Sequence, residues 1–367
     1  MTRFSSHRTV AAGALSPPVV GVLSRGTLAN SDGGAHSFTR RELLTFHGRA
    51  RQPRDDGFWV RVSRRAMACQ FEVVLPGESA AHVPAARAAL DEADRLEAKL
   101  TVFRDTSDLV RLNSAAAACA VQVDRTLFDL LVRCVRLHRE TGGAFDVTST
   151  PLSRCWGFLR REGRVPSAAE IENARGRVGM DRVELDSARR SVRFTRPGVE
   201  LNLGAIGKGF ALDRMAARLR RQGVGHALLS AGGSSILAVG NDGGGWPVDV
   251  RPRLLNGRRI ARLRLDSAAM ATSGAGEQHV VVEGRRYGHV LDPRTGWPAE
   301  GVLSATVVTR DAASADALST AMLIAGPPLA ERCVSARADT MVLLTLESSP
   351  EDTIVFGGCS GATIEEA

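Results

Sequence analysis

An α+β fold, built mainly from antiparallel strands with helices packed on them, is the architecture that the sequence predicts on three observations. Segments with apolar residues at helical spacing are interleaved with short apolar or alternating runs that end in Gly, Pro or charged turns. No βαβ unit recurs, which argues against a doubly wound parallel sheet. No self-similarity appears at a solenoid period. With 367 residues, 44% of them hydrophobic, the chain can bury one large core or two moderate ones and still leave length for an extension.

The elements follow in order. FWVRVSRRAMACQFEVVLPG, from Phe58, reads as two short strands ending in the Pro76-Gly77 turn. Residues 84–100 place Leu90, Ala93, Leu96 and Leu100 near helical spacing, with Pro84 in a first turn that tolerates it. A second helix starts at Asp124 as N-cap, aligns Leu127, Leu130, Leu131, Cys134 and Val135 on one stripe, and stops at Gly142-Gly143. VELDSARRSVRF, from Val183 to Phe194, is a hairpin with a charged tip. A helix over 208–221 closes at Gly223, strands cluster at 226–239, 247–252, 260–265, 279–283, 303–309 and 340–346, and one further helix occupies 314–325. The expected organisation is a disordered basic extension at 1–57, a single folded unit at 58–358, and a flexible tail at 359–367.

Charge distribution decides which partners the net charge of +8 implies. Residues 1–65 hold eleven arginines against Asp32, Glu42, Asp55 and Asp56, so the extension carries nearly all of the excess. A basic tail is indicated, a basic face on the folded body is not, and nucleic acid is not an expected partner. Of the 48 basic residues only Lys99 and Lys208 are lysines, which singles out Lys208 as a position where a compact ammonium is used. The six cysteines are scattered without a CxxC, as buried free thiols are, and favour a reducing compartment over a disulfide framework or zinc site. No run of 18 apolar residues occurs, so no transmembrane helix is expected. FTRRELLT at 38–45 has the form of a twin-arginine export start, but His47, Arg49, Arg51 and Arg54 interrupt the apolar stretch that should follow; cytoplasm and export both stay open.

Three segments carry chemistry. In LNLGAIGKGFALD (201–213) a short apolar strand runs through Gly204, Gly207 and Gly209 into a helix, a loop that suits a pyrophosphate with Lys208 as its cation; a plain strand-to-helix turn fits the same residues. In SADALSTAMLIAG (314–326) Asp316 and Thr320 lie four apart and share one helix face, hard oxygen donors that suit Mg²⁺; a capping Asp with a solvated Thr fits equally. In RRYGHVLDPRTGWP (285–298) a strand ends in a turn that holds His289 near Asp292, as a general base and its neighbour or as structural residues. The other histidines, His138 among them, receive no role.

Together with MACQFEV (67–73), TVFRDTSDLVRLN (101–113), TGGAFDVTSTPLSRCWGF (141–158), ALLSAGGSSILAVG (227–240) and AMATSGAGEQ (269–278), these segments resemble the ordered motif series of the ApbE family over about residues 66–345. The resemblance implies a Mg²⁺-dependent FAD:protein FMN transferase, which cleaves the pyrophosphate of FAD, joins FMN to a Ser or Thr of an acceptor protein and releases AMP. It implies Mg²⁺ on the carbonyl of Ala205 and on Asp316 and Thr320. FAD contacts are implied at Met67, Ala144, Phe145, Asp146, Lys208 and Leu291, with Phe103 and Asn202 as further candidate contacts at positions that depart from the family pattern; His289 is the candidate for the group that takes the hydroxyl proton, with Asp292 orienting it or sharing that role. The sequence departs from the family pattern at Cys69 (usually Thr), Phe103 (usually Tyr), Asn202 (usually Asp) and Ser234 (usually Asn or Asp), and lacks the aromatic expected after Ser273-Gly274. Two other readings stay open: a Mg²⁺-dependent FAD pyrophosphatase with water as acceptor, and a catalytically silent FAD-binding protein. Ser360-Gly361-Ala362-Thr363 has the form of the acceptor sequence that the resemblance implies, which makes Thr363 a candidate for flavinylation; chance in an Ala- and Gly-rich chain yields the same four residues.

Overall fold

A computed structural model describes residues 20–23, 59–160, 162–241, 243–252, 258–276, 279–282 and 284–365. The first strand is β1 (Val20–Leu23), followed by the hairpin β2 (Trp59–Ala66) and β3 (Cys69–Pro76). Helices α1 (Val83–Leu100) and α2 (Asp108–Ala115), strand β4 (Val121–Gln122) and helices α3 (Arg125–Glu140), α4 (Thr150–Cys155) and α5 (Ala168–Arg175) come next. The hairpin β5 (Val183–Asp186) and β6 (Ser191–Phe194) leads to α6 (Gly207–Arg221), then β7 (Ala227–Ala231), β8 (Ser235–Val239), β9 (Trp246–Val250), β10 (Ala261–Leu265) and β11 (Ala269–Gly274). The chain closes with β12 (His279–Val282), β13 (Arg285–Gly288), β14 (Val302–Thr309), α7 (Ala312–Ala336), β15 (Thr340–Leu346), β16 (Ser349–Gly358) and β17 (Ala362–Glu365).

Nine strands form one antiparallel sheet in the order β1-β16-β15-β14-β11-β8-β7-β3-β2. Its central strands read as unbroken apolar runs because both faces are covered. One face sends Leu229, Leu237, Val307 and Val342 into the main core with α1, α6 and α7. The alternate residues Leu228, Ile236, Val308 and Leu343 pack against the small sheet β17-β10-β9 through Val248, Leu263 and Leu265. A third cluster joins Leu152 of α4 and Trp156 just after it, Ile171 and Ala174 of α5, and Leu291, and is pinned by the Trp156 indole N–H donating to the Gly296 carbonyl at 2.9 Å.

Local sequence explains the joints. Met67 and Ala68 form a two-residue β2–β3 turn in which both φ angles are positive, 49° and 60°, the backbone that matches strand twist but strains L residues. The expected block 226–239 is a hairpin, β7 and β8, broken at Gly232-Gly233. The last helix continues beyond 325: Gly326, at φ 61°, kinks it, and Pro327-Pro328 start the next turns, where φ is preset for a helix and the first N–H groups need no partner.

Two expectations about the ends are revised. Within the extension 1–57, Val20–Leu23 pairs antiparallel with β16 at Ile354, Val355 and Phe356; the rest of the extension, and Phe58, lie outside the described residues. The tail is not free: Ala362–Glu365 is a strand in register with β10, Thr363 opposite Arg264, because Ala362 and Ile364 alternate onto the apolar cluster under the small sheet. Among the described residues no helix is long and apolar enough to cross a membrane.

Candidate active site

On the helical side of the large sheet lies a cavity of about 350 Å³, within the usual range for small-molecule sites. Five parts of the chain meet there: the segment from Ala144 into α4, the loop that enters α6, the first turns of α7, the end of β11, and the turn after β13. The loop is fixed before α6 starts. Asn113 of α2 both donates to and accepts from the backbone of Leu201, each at 2.9 Å, and the Asn202 side chain accepts from Gly204 N at 2.9 Å. Lys208, the second residue of α6, lines the cavity, while in the same turn Gly207 N donates to the Leu203 carbonyl at 2.7 Å and Gly209 N to Asp316.

Asp316, only 5% exposed, is the buried charge of the site. Its Oδ2 accepts from Gly209 N at 3.0 Å, its Oδ1 accepts from the Ser235 hydroxyl at 3.1 Å, and Lys208 Nζ stands 3.5 Å from Oδ1. Asp316 is not the cap of α7. That role belongs to Asp311, which accepts from Ser314 N at 2.7 Å, so the capping alternative for Asp316 falls away. Thr320 is not merely solvated either: its hydroxyl lies 3.3 Å from the Asp316 carbonyl and 3.3 Å from Ser273 Oγ, which in turn meets Ser319 Oγ at 2.9 Å.

The donor chemistry fits a hard divalent cation. Asp316, Thr320 and Ala205 line the same cavity, and a carboxylate whose two oxygens each take one hydrogen bond keeps lone pairs for a metal. Among the described residues no group of three or more His, Cys, Asp or Glu could hold an ion. One carboxylate with neutral oxygens suits Mg²⁺, which retains waters and takes phosphate oxygens, rather than a zinc-type site.

Opposite this pole, Ala144, Phe145 and Asp146 line the wall. Asp146 Oδ1 accepts from Thr148 N at 2.7 Å and from the Thr148 hydroxyl at 2.5 Å, while Oδ2 faces His138 Nδ1 at 3.2 Å. Burial works against a charged His138, but the Asp146 carboxylate and the Phe145 carbonyl outweigh it, and the imidazole is raised above its ordinary value. Asn202, Lys208, His289 and Leu291 also line the cavity.

Three predicted residues stand elsewhere. Asp292 is outside the lining, and its carboxylate accepts from Arg294 N and Nε, both at 2.9 Å, and from Arg294 Nη2 at 2.8 Å, which closes the turn. Met67 sits at the hairpin tip against the main core. Phe103, 77% exposed, lies on the loop between α1 and α2. Cys69 stands near Lys208 and Asp316; burial first, with Asp316 adding and Lys208 opposing, pushes its thiol up to about 11, so it is protonated and unreactive at neutral pH. A larger groove of about 940 Å³ opens on the other side of α4 but holds none of the predicted residues; of its three arginines, Arg154 and Arg164 are paired with Glu200 and Glu170, and Arg177 donates to the Asn173 carbonyl.

Sequence reading passed over His138, Ser235, Ser273 and Asn113. Each acts on a residue far along the chain or across a glycine turn. Asn113, Ser235 and Ser273 stand within recognised segments that do not mark them individually, and His138 stands outside all of them.

Residues 67–344 match the ApbE family. The chain is similar to an FAD:protein FMN transferase of Klebsiella pneumoniae (strain 342), 33% identical over 248 residues that cover 66% of this chain and 75% of that protein. It is also similar to that of Escherichia coli (strain K12), 27% identical over 265 residues, 70% of this chain and 75% of that protein. Among solved structures, the ApbE protein of Thermotoga maritima superposes with a TM-score of 0.73 at 30% identity over 84% of this chain and 97% of that one. The apo flavinyl transferase ApbE of Pseudomonas stutzeri gives 0.70 at 26% identity, with 84% and 97% covered.

Proposed function

The chain belongs to the ApbE family, and on that premise we propose how its cavity carries out the work of an FAD:protein FMN transferase. FAD is the substrate and a protein receives its FMN half. The pyrophosphate lies beside the first turn of α6, where Lys208 meets its negative charge. Asp316, Thr320 and the Ala205 carbonyl would hold Mg²⁺, which would supply Lewis-acid stabilisation of the phosphate charge. Ala144, Phe145, Asp146, Asn202 and Leu291 enclose the rest of the dinucleotide.

In the transfer step a Ser or Thr hydroxyl of the acceptor attacks the phosphorus of the FMN half. The new O–P bond forms as the bond from that phosphorus to the bridging oxygen breaks, AMP leaves with that oxygen, and the hydroxyl proton passes to His289. Lys208 balances the negative charge that builds at the phosphate oxygens. Asp292, held by Arg294, keeps the turn that presents His289.

One observation carries this reading: a histidine, a lysine and hard oxygen donors line a single cavity. Asp316→Ala is expected to slow AMP release from FAD by about 100-fold or more, the scale of losing one transition-state stabiliser. AMP release at the wild-type rate in that variant would remove the metal assignment. Mass spectrometry of an acceptor protein incubated with FAD, Mg²⁺ and the enzyme should show attached FMN; FMN found only free would mean that water is the acceptor.

A further inference from the structure

The first N–H groups of a helix need partners from outside the helix, and in α7 they come from two carboxylates of different origin. Asp311, the local cap, takes Ser314 N. Asp213, on α6, takes the other two: its Oδ1 accepts from Ala312 N at 2.7 Å and its Oδ2 from Ala313 N at 3.0 Å. The exchange is reciprocal, because Gly209 N of α6 donates to Asp316 of α7. Gly209 and Asp213 lie four apart on one face of α6, and Ala312 and Asp316 four apart on one face of α7. Each helix thus gives the other a backbone donor at one point and a carboxylate at the next. The approach requires glycine, since a Cβ on residue 209 would stand 2.0 Å from the Ala312 carbonyl oxygen. Arg133 faces Asp213 at 3.9 Å and also bonds Asp311, which offsets the buried charge.

We propose that Asp213 is a positioning residue that brackets α6 to α7, and so sets Lys208 and the loop carbonyl of Ala205 at their working distance from Asp316 and Thr320. This rests on the assignment of the metal to Asp316 and Thr320. A mere cap would stabilise α7; a bracket also fixes the geometry of the metal half of the site, and the two roles differ in what they move.

The test compares Asp213→Asn with Asp311→Ala in the full chain. Both should lower the thermal midpoint. Asp213→Asn should raise the Mg²⁺ concentration for half-maximal AMP release by about tenfold or more, the usual scale for losing a group that orients a metal ligand. Mn²⁺ binding followed by electron paramagnetic resonance should shift in parallel, without turnover. Asp311→Ala should leave both within about twofold of wild type. Hydrogen exchange should quicken at the Ala312 and Ala313 amides in the first variant and at the Ser314 amide in the second. Faster exchange at Ala312 and Ala313 with unchanged Mg²⁺ and Mn²⁺ dependence would overturn the proposal and leave Asp213 a cap. Wild-type AMP release that needs no Mg²⁺ would instead overturn the metal assignment beneath it. If Asp213→Asn does not fold, Asp213→Glu carries the comparison: its longer side chain keeps the charge but displaces α7, and the metal dependence should move in the same direction.

Discussion

A buried carboxylate is stable only where its oxygens are met by donors, and the cavity has two of them, each met in its own way. Asp316 is held by a backbone N–H, a hydroxyl and the Lys208 ammonium. Asp146 depends on a group that titrates. The imidazole of His138 is raised above its ordinary value, burial opposing and Asp146 prevailing, so the folded protein binds that proton more tightly than the unfolded chain. Its contribution is then complete below the ordinary histidine value of about 6.5 and is lost as pH rises through the higher folded value. His138→Ala should accordingly cost most stability near pH 5.5 and progressively less towards pH 8, read as the difference in thermal midpoint from wild type; a difference independent of pH would mean that the ring only packs. Nothing in the sequence announced this pair. His138 ends α3, the positive-φ glycines Gly142 and Gly143 turn the chain back over the helix end, and Asp146 returns to it by a path that periodicity does not encode. Lys208, Asp316 and His289, which line the cavity, each stand in a short segment that the sequence singled out, although their roles came from the resemblance and not from the segment alone.

Elements that bury one continuous stripe, α1, α3 and α6, were readable for the reason that they form: apolar residues recur at helical spacing and polar caps stop them. Short helices were not. α2, α4 and α5 run for eight, six and eight residues, too few for a stripe, and are held by tertiary contacts and caps such as the Ser167–Glu170 box. The close contact of α6 with α7 gives a prediction at this scale, because two glycines two positions apart meet different surroundings. A Cβ at Gly209 would collide with the Ala312 carbonyl and the Ala313 amide, whereas at Gly207 it meets nothing within 4 Å. Gly209→Ala must push the helices apart and should cost about 1–3 kcal/mol or more, the range for overpacking a tight core, with AMP release falling alongside. Gly207→Ala should be neutral or stabilising by up to about 1 kcal/mol, since alanine is the better helix former. Denaturant unfolding of the two variants separates the cases, and equal losses would place the tight contact elsewhere.

At the scale of the whole molecule the large sheet is a partition, with the helices and the cavity on one side and the β9-β10-β17 sheet on the other. Strand order was not legible. β3 finds β7 across some 150 intervening residues and β10 finds β17 across nearly 100, and apolar alternation says which face a strand buries but not which strand lies beside it. The consequence falls on Thr363. As part of a loose tail it would reach its own catalytic cavity at high effective concentration, but it sits in β17, paired with Arg264 and exposed on the outer layer. To enter the cavity of its own molecule it would have to unpair β17, withdraw Ala362 and Ile364 from the apolar cluster, and pass to the other side of the sheet. Its hydroxyl is nonetheless open to solvent, so the cavity of a second molecule is the only one within reach of the folded state. Incubation of the dilute protein with FAD, Mg²⁺ and an acceptor protein should therefore leave the enzyme's own intact mass unchanged while AMP is released and FMN joins the acceptor. Any FMN that does appear on Thr363 should form at a rate that rises with protein concentration and vanish in Thr363→Ala. Modification at a rate independent of protein concentration would mean that β17 detaches readily and that the tail serves its own active site.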